Sequence, residues 1–201
     1  MTSSQPRSGP WIGLSGDRRF WPLDPRPSEF RIEDIAGPLS RICRFGGRCS
    51  PFYSVAEHSL LVMRIVEEAH PDIALQALLH DAAEAYLGDV ISPLKEWLVF
   101  WGPCERKPTS AAFDFAAMER HLHTAILIGL GVPVPSTADA AIIKQADEIA
   151  LATEARQLMG DPEWGRIAEP RAERLAAMDH AAAQRAFLAA FYRLAPKAVR
   201  S

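Results

Sequence analysis

From residue 31 onward, apolar residues recur at helical spacing along almost the whole chain. In SVAEHSLLVMRIVEEA the residues Leu61, Val62, Ile65 and Val66 share one face, and Ser54-x-x-Glu57 ahead of them is a capping box. The pattern predicts a helix from there through Ala69, with His58 in its first turn, after a shorter helix over 32–43. Pro71 and Asp72 open a further helix through IALQALLHDAAEAYLGD, which Gly88 ends. Ser92-Pro93 start a short helix to about Val99, and 102–110 (GPCERKPTS) read as a loop. A long helix over 111–128, the loop GVPVPST and a helix capped by Thr137 and reaching about Met159 follow. Residues 161–170 read as irregular, and an Ala-rich helix runs from about Arg171 to Leu194. At the other end, Gly and Pro punctuate WIGLSGDRRFWPLDPRP, as in an extended arm or a small hairpin. The expected fold is an all-α bundle, with an N-terminal arm over 1–30 and one helical domain over 31–201.

His80 and Asp81 break this apolar patterning. They sit together between Ile73, Leu75, Ala77, Leu78 and Leu79 on one side and Ala82 and Ala83 on the other. Polar groups in such a run need partners, and a divalent metal satisfies imidazole and carboxylate together. Neighbours on a helix project about 100° apart, so the two would bracket an ion lying over the helix face. A lone doublet reads as readily as a capped pair at the solvent edge. Other segments decide the matter: His58 lies on the preceding helix, and Asp147 shares a helical stripe with Ile143 and Ala150. Asp147 could instead pair with Lys144 or an arginine. His121 and His123, two apart on a helix, point away from each other and form no common site.

Length and charge narrow the class. The 201 residues suit one domain, and a net charge of −3 leaves no basic footprint for a nucleic-acid backbone. An anionic substrate must then be met by a local basic cluster. No apolar run is long enough for a membrane span, and MTSSQPRSGP lacks the apolar core of a secretory signal. Cys43, Cys49 and Cys104 have no zinc-site spacing, and an odd count argues against a disulfide framework, so a cytoplasmic protein is expected.

Four blocks in order carry a resemblance: CRFGG (43–47), FYSVAEHSLLV (52–62), LLHDAAEAYLGDV (78–90) with PLK (93–95), and KQAD (144–147). They resemble the HD-domain metal-dependent phosphohydrolases, in the branch of the bacterial 5'-deoxynucleotidases and the small phage and bacterial deoxynucleoside triphosphohydrolases. The likeness spans roughly 18–160 and implies an HD-type bundle that assembles as a homo-oligomer. It implies one divalent ion (Co, Mn, Zn, Ni, Fe or Mg) on His58, His80, Asp81 and Asp147, with room for a second, substrate-borne Mg. Such an ion lowers the pKa of a coordinated water and polarises a phosphoryl oxygen.

The resemblance also distributes roles. Glu84, one turn after His80, would assist the water, and Asp89, after Gly88, would help activation or leaving-group protonation. As alternatives, Glu84 is a surface carboxylate and Asp89 a turn residue. Arg44, fourteen residues before His58, matches the phosphate-binding arginine of the nucleotidases, and a guanidinium suits bidentate phosphate binding. Lys95 and Lys144 stand where triphosphohydrolases hold the longer phosphate chain, or are solvated lysines. The nucleotidases have Trp after that arginine to exclude a ribose 2'-hydroxyl; this chain has Phe45, a smaller aromatic wall without the indole N–H. The implied activity is cleavage of the 5'-phosphoester of deoxynucleotides to deoxynucleoside and phosphate. The close alternative releases triphosphate from a deoxynucleoside triphosphate. The alternative of another class is a non-catalytic HD-like nucleotide-binding regulatory module. The partner expected in each case is a nucleotide, with no nucleic acid and no membrane.

Overall fold

The computed structural model describes residues 7, 9–95, 97–101, 112–160 and 167–196. The chain is mostly helical. Strands β1 (Ile12–Leu14) and β2 (Arg18–Phe20) pair antiparallel. Phe20 carries this pair onto the core, where its ring meets those of Phe30 and Tyr86 at 5.4 and 4.5 Å. Helix α1 (Ile32–Leu39) is shorter than the sequence pattern suggests and is followed by a 3-10 turn, Arg44–Gly47.

Helix α2 (Val55–Glu67) is the centre of the molecule. Its capping box forms as predicted: Ser54 Oγ accepts from the Glu57 N–H, and the Glu57 carboxylate accepts from the Ser54 N–H at 2.8 Å. Leu61, Val62 and Val66 are buried, and Ile65 half so. This helix packs against α3 (Ala74–Leu78), α7 (Thr137–Glu154) and α8 (His180–Leu194). Leu61, Val62, Ile73, Ala77, Ile143 and Ala150 form one apolar cluster among them. That packing sets the chemistry-bearing face of each helix toward the others.

The helix expected from Pro71 to Gly88 is not continuous. Residues 71–73 are 3-10, α3 ends at Leu78, and α4 (Glu84–Leu87) begins only after a run of turns over 79–83. Within that run the N–H groups of His80, Ala82 and Glu84 bond three residues back instead of four, the tighter winding that often marks a functional segment. Gly88 ends α4 with φ +80, as its position predicts.

Other boundaries shift for local reasons. Helix α5 (Ser92–Lys95) stops early, and Val99 belongs to strand β3 (Val99–Trp101), paired with β4 (Ala112–Asp114). Helix α6 (Phe115–Gly129) therefore starts later than the periodicity suggests, with Asp114 as its cap. The loop expected over 102–110, with Cys104, lies outside the described residues. Ser136, not Thr137, caps α7, because its hydroxyl and the Asp139 carboxylate close a second capping box. Past Glu154 the helix widens to a π turn over Ala155–Met159. The last helix starts at His180 rather than Arg171. Asp179 caps it, and 171–178 are drawn out of helical form by bonds to Thr153, Gln157 and Glu57. Among the described residues no helix is long and apolar enough to cross a membrane.

Candidate metal centre

Three donors converge where α2, the 79–83 turns and α7 meet. Atoms of His58, His80 and Asp147 all lie within 4.8 Å of one another. Asp81 joins from the side, its Oδ2 3.5 Å from His58 Nε2 and 3.2 Å from His80 Nε2. The broken helix explains how adjacent residues reach one point: regular winding would set His80 and Asp81 about 100° apart, whereas the tight turns swing both inward.

The hydrogen bonds behind the rings settle which nitrogen faces the centre. His58 Nδ1 is 2.8 Å from Glu154 Oε1, and His80 Nδ1 is 2.9 Å from the Ala77 carbonyl. Both partners accept, so each Nδ1 carries a hydrogen and a neutral ring turns its Nε2 lone pair inward. Both Nε2 atoms are buried and lack a hydrogen-bond partner among the described residues. His58 Nε2 lies 3.1 Å from Asp147 Oδ1 without aiming a hydrogen bond at it. Unpartnered buried nitrogens beside carboxylate oxygens suit a shared cation, so this donor set fits a divalent metal.

Electrostatics give the same picture. Burial and the Arg44 charge work against protonation of His58, but Glu154 and Asp147 outweigh them and raise its pKa to about 10. Asp81 and Asp147 are held well below the usual carboxylate range, against burial, by the neighbouring histidines. Without a metal, the cluster keeps a proton on His58 as its positive charge. Its stabilising contribution is full below the unfolded histidine value of 6.5 and is lost as pH rises through about 10. The metal-free chain is therefore expected to melt at steadily lower temperature between those limits, and loading with metal should flatten the profile. A flat metal-free melting profile would contradict this.

The remaining predicted residues fall into two groups. Glu84 is buried, with Oε1 3.5 Å from Lys95 Nζ and Oε2 unpartnered. Burial, then the charges of Asp81 and Asp89, push its carboxyl well above the ordinary range. Asp89 is half-buried and also raised by burial, against the pull of Arg44. Arg44 donates from Nη2 to Glu154 at 3.2 Å, while its buried Nε–H has no partner among the described residues. Phe45 and Gly46 both have φ +58 and Gly47 +79, a left-handed run natural for glycine and costly at Phe45. The Phe45 ring is buried with Tyr53 and Leu158, 5.4 Å from the guanidinium. It packs beside Arg44 with little of its surface exposed.

Lys95 and Lys144 form the second group. Lys95 reaches Glu119 at 3.0 Å, and Lys144 reaches Asp147 Oδ2 at 2.8 Å, so the Lys144 pairing weighed for Asp147 is formed, while Asp147 Oδ1 stays 3.1 Å from His58 Nε2. Both line a cavity of about 430 Å³ that opens onto His80, Asp81 and Asp147. Sequence reasoning missed two members of this region. Arg120, on the cavity wall, has no ion pair among the described residues. Glu154, fully buried, reads in the sequence as a routine carboxylate near a helix end.

No family model matches the chain. Over 158 residues it is 35% identical to the uncharacterized protein RCAP_rcc00048 of Rhodobacter capsulatus, covering 75% of this chain and 74% of that protein. The chain belongs to that protein's family. It is also 41% identical over 128 residues to the uncharacterized protein YfdR of Escherichia coli, a stretch covering 63% of this chain. The match spans 60% of the length of YfdR. Both relatives are described as uncharacterized, so the functional argument rests on the residues.

Proposed function

We propose that this chain is an HD-type, metal-dependent phosphohydrolase that cleaves the 5'-phosphoester of deoxynucleotides. The observation that carries the reading is the pair of inward, unpartnered Nε2 atoms beside Asp81 and Asp147. A divalent ion held by His58, His80, Asp81 and Asp147 would supply Lewis-acid polarisation of the phosphoryl group and acidify water there. Arg44 supplies the anion contact, because its buried Nε–H is a donor in need of an acceptor. Glu84 supplies the base: its Oε2 has no hydrogen-bond partner among the described residues, and burial with the charge of Asp81 raises its proton affinity above that of an ordinary carboxylate. To Asp89, whose carboxyl is raised by burial against the pull of Arg44, the proposal gives the leaving group's proton.

The first choice of substrate is a deoxynucleoside 5'-monophosphate. A specific observation favours the triphosphate as second reading: Lys95, Arg120 and Lys144 line the cavity that opens onto the cluster, where they would meet the outer phosphates. Incubating the loaded protein with dNMPs and dNTPs, and identifying phosphate or triphosphate as product, tests both. Arg120→Ala should leave monophosphate turnover within about twofold, whereas Lys144→Ala, which also removes a partner of Asp147, is read as the ratio of triphosphate to monophosphate turnover. On triphosphates each should lose about ten- to a hundredfold in kcat/KM, the scale of one charge-assisted contact. Equal small effects on both substrates would favour the monophosphatase. No turnover of any nucleotide with any of the metals would remove the proposal.

A further inference from the structure

Glu154 touches a residue of the metal-facing half of the site, His58, and one of its anion-facing half, Arg44. It is the last residue of α7, fully buried, and the backbone changes from α to π winding directly after it. Its two oxygens are divided: Oε1 lies 2.8 Å from His58 Nδ1 and Oε2 accepts from Arg44 Nη2 at 3.2 Å. Arg44 is nine-tenths buried and His58 wholly so. At such burial an ion pair holds only when its geometry is well satisfied. One carboxylate thus fixes the tautomer of a metal donor and the direction of a guanidinium 110 residues away in sequence.

We infer that Glu154 is a positioning residue that holds His58 and Arg44 in register, so that metal affinity and anion affinity depend on the same side chain. The inference rests on the metal reading above and adds a residue to it. Two consequences follow from the chemistry of the carboxylate. It raises the basicity of His58 as a donor, and loss of such an outer partner typically costs ten- to a hundredfold in metal affinity. It also accepts on both sides at once, which a carboxamide with its single acceptor oxygen cannot do. Glu154→Gln must therefore give up either the histidine or the arginine.

The test is titration of the metal-stripped, full-length chain with Co²⁺ alone, followed by inorganic phosphate on the loaded protein, with circular dichroism as a check on folding. In Glu154→Gln, either Co²⁺ affinity or phosphate affinity should fall by about tenfold or more. Unchanged values for both, in a folded variant, would overturn the inference. Because a single substitution strands the buried Arg44 charge and could unfold the chain, a second comparison uses Arg44→Met with and without Glu154→Gln. There no cation is left unpaired, and Co²⁺ should bind about tenfold or more weaker when Glu154 is also replaced. Equal Co²⁺ affinity in those two variants would reduce Glu154 to a packing role. Failure of the unaltered chain to bind Co²⁺ would strike the metal reading itself. Metal binding without nucleotide hydrolysis would strike only the proposed activity and leave Glu154 as inferred.

Discussion

Replacing His80 or Asp81 with alanine should give a folded, helical chain that holds no stoichiometric divalent cation and hydrolyses no nucleotide. The expectation of a folded chain comes from where these side chains stand. Both are only partly buried, at 12% and 21% exposure, and they face the donor cluster rather than the apolar packing on either side. The buried neighbours Leu78, Leu79, Ala82 and Ala83 keep the segment in place without them. The expectation of a lost metal comes from donor count: His80 supplies one of two imidazoles, and Asp81 approaches both ring nitrogens, at 3.5 and 3.2 Å. Losing one of four donors should be far more damaging than losing an outer partner. Elemental analysis after dialysis, beside circular dichroism, reads both halves. Full occupancy in either variant would place the cation elsewhere.

How much of this site the sequence discloses depends on whether a residue stands out from its own helix. His58, His80, Asp81 and Asp147 do, because each interrupts an apolar pattern, and polar groups there need an explanation. The capping box at Ser54 was equally readable, since caps are local chemistry, whereas the pattern places the cap of α7 one residue late, at Thr137 instead of Ser136. The break at 79–83 was not. Leu78, Leu79, Ala82 and Ala83 are all apolar and all buried, so periodicity runs through the turns as though they were helix. The start of the last helix was hidden for the opposite reason. Residues 171–179 contain good helix formers, but tertiary bonds to Thr153, Gln157 and Glu57 hold 171–178 in another form, and propensity is the weaker influence.

Glu154 shows the limit most clearly. In ALATEARQLM nothing distinguishes it from a solvated carboxylate near a helix end. It lies buried directly before the π turn, whose Leu158 packs with Phe45 and Tyr53, and is paired with Arg44, contacts that exist only in the folded chain. Arg120 was invisible for a related reason: its meaning comes from the cavity it borders, which is assembled from α3, α5, α6 and α7.

Glu84→Gln should separate chemistry from coordination. The side chain is buried and nearly isosteric with its replacement, and no donor of the three-residue cluster hydrogen-bonds to it. The metal should therefore remain at full occupancy. The rate should fall by about a hundredfold or more in kcat, the usual scale for loss of an acid–base group, with KM changed little. The pH profile supplies an independent sign. Burial and the charges of Asp81 and Asp89 raise the Glu84 carboxyl well above its ordinary range. A base must be ionised to act, so activity in the unaltered protein should rise with pH through that raised value. A cation between Asp81 and Asp147 offsets part of the charge effect, but the burial remains, so the acidic limb should still lie above that of an exposed carboxylate. In Glu84→Gln that limb should disappear. Loss of the metal along with the rate would make Glu84 a ligand. Unchanged kcat would return it to an ordinary partner of Lys95 and leave the proton acceptor to be sought at Asp89, the other raised carboxyl beside Arg44.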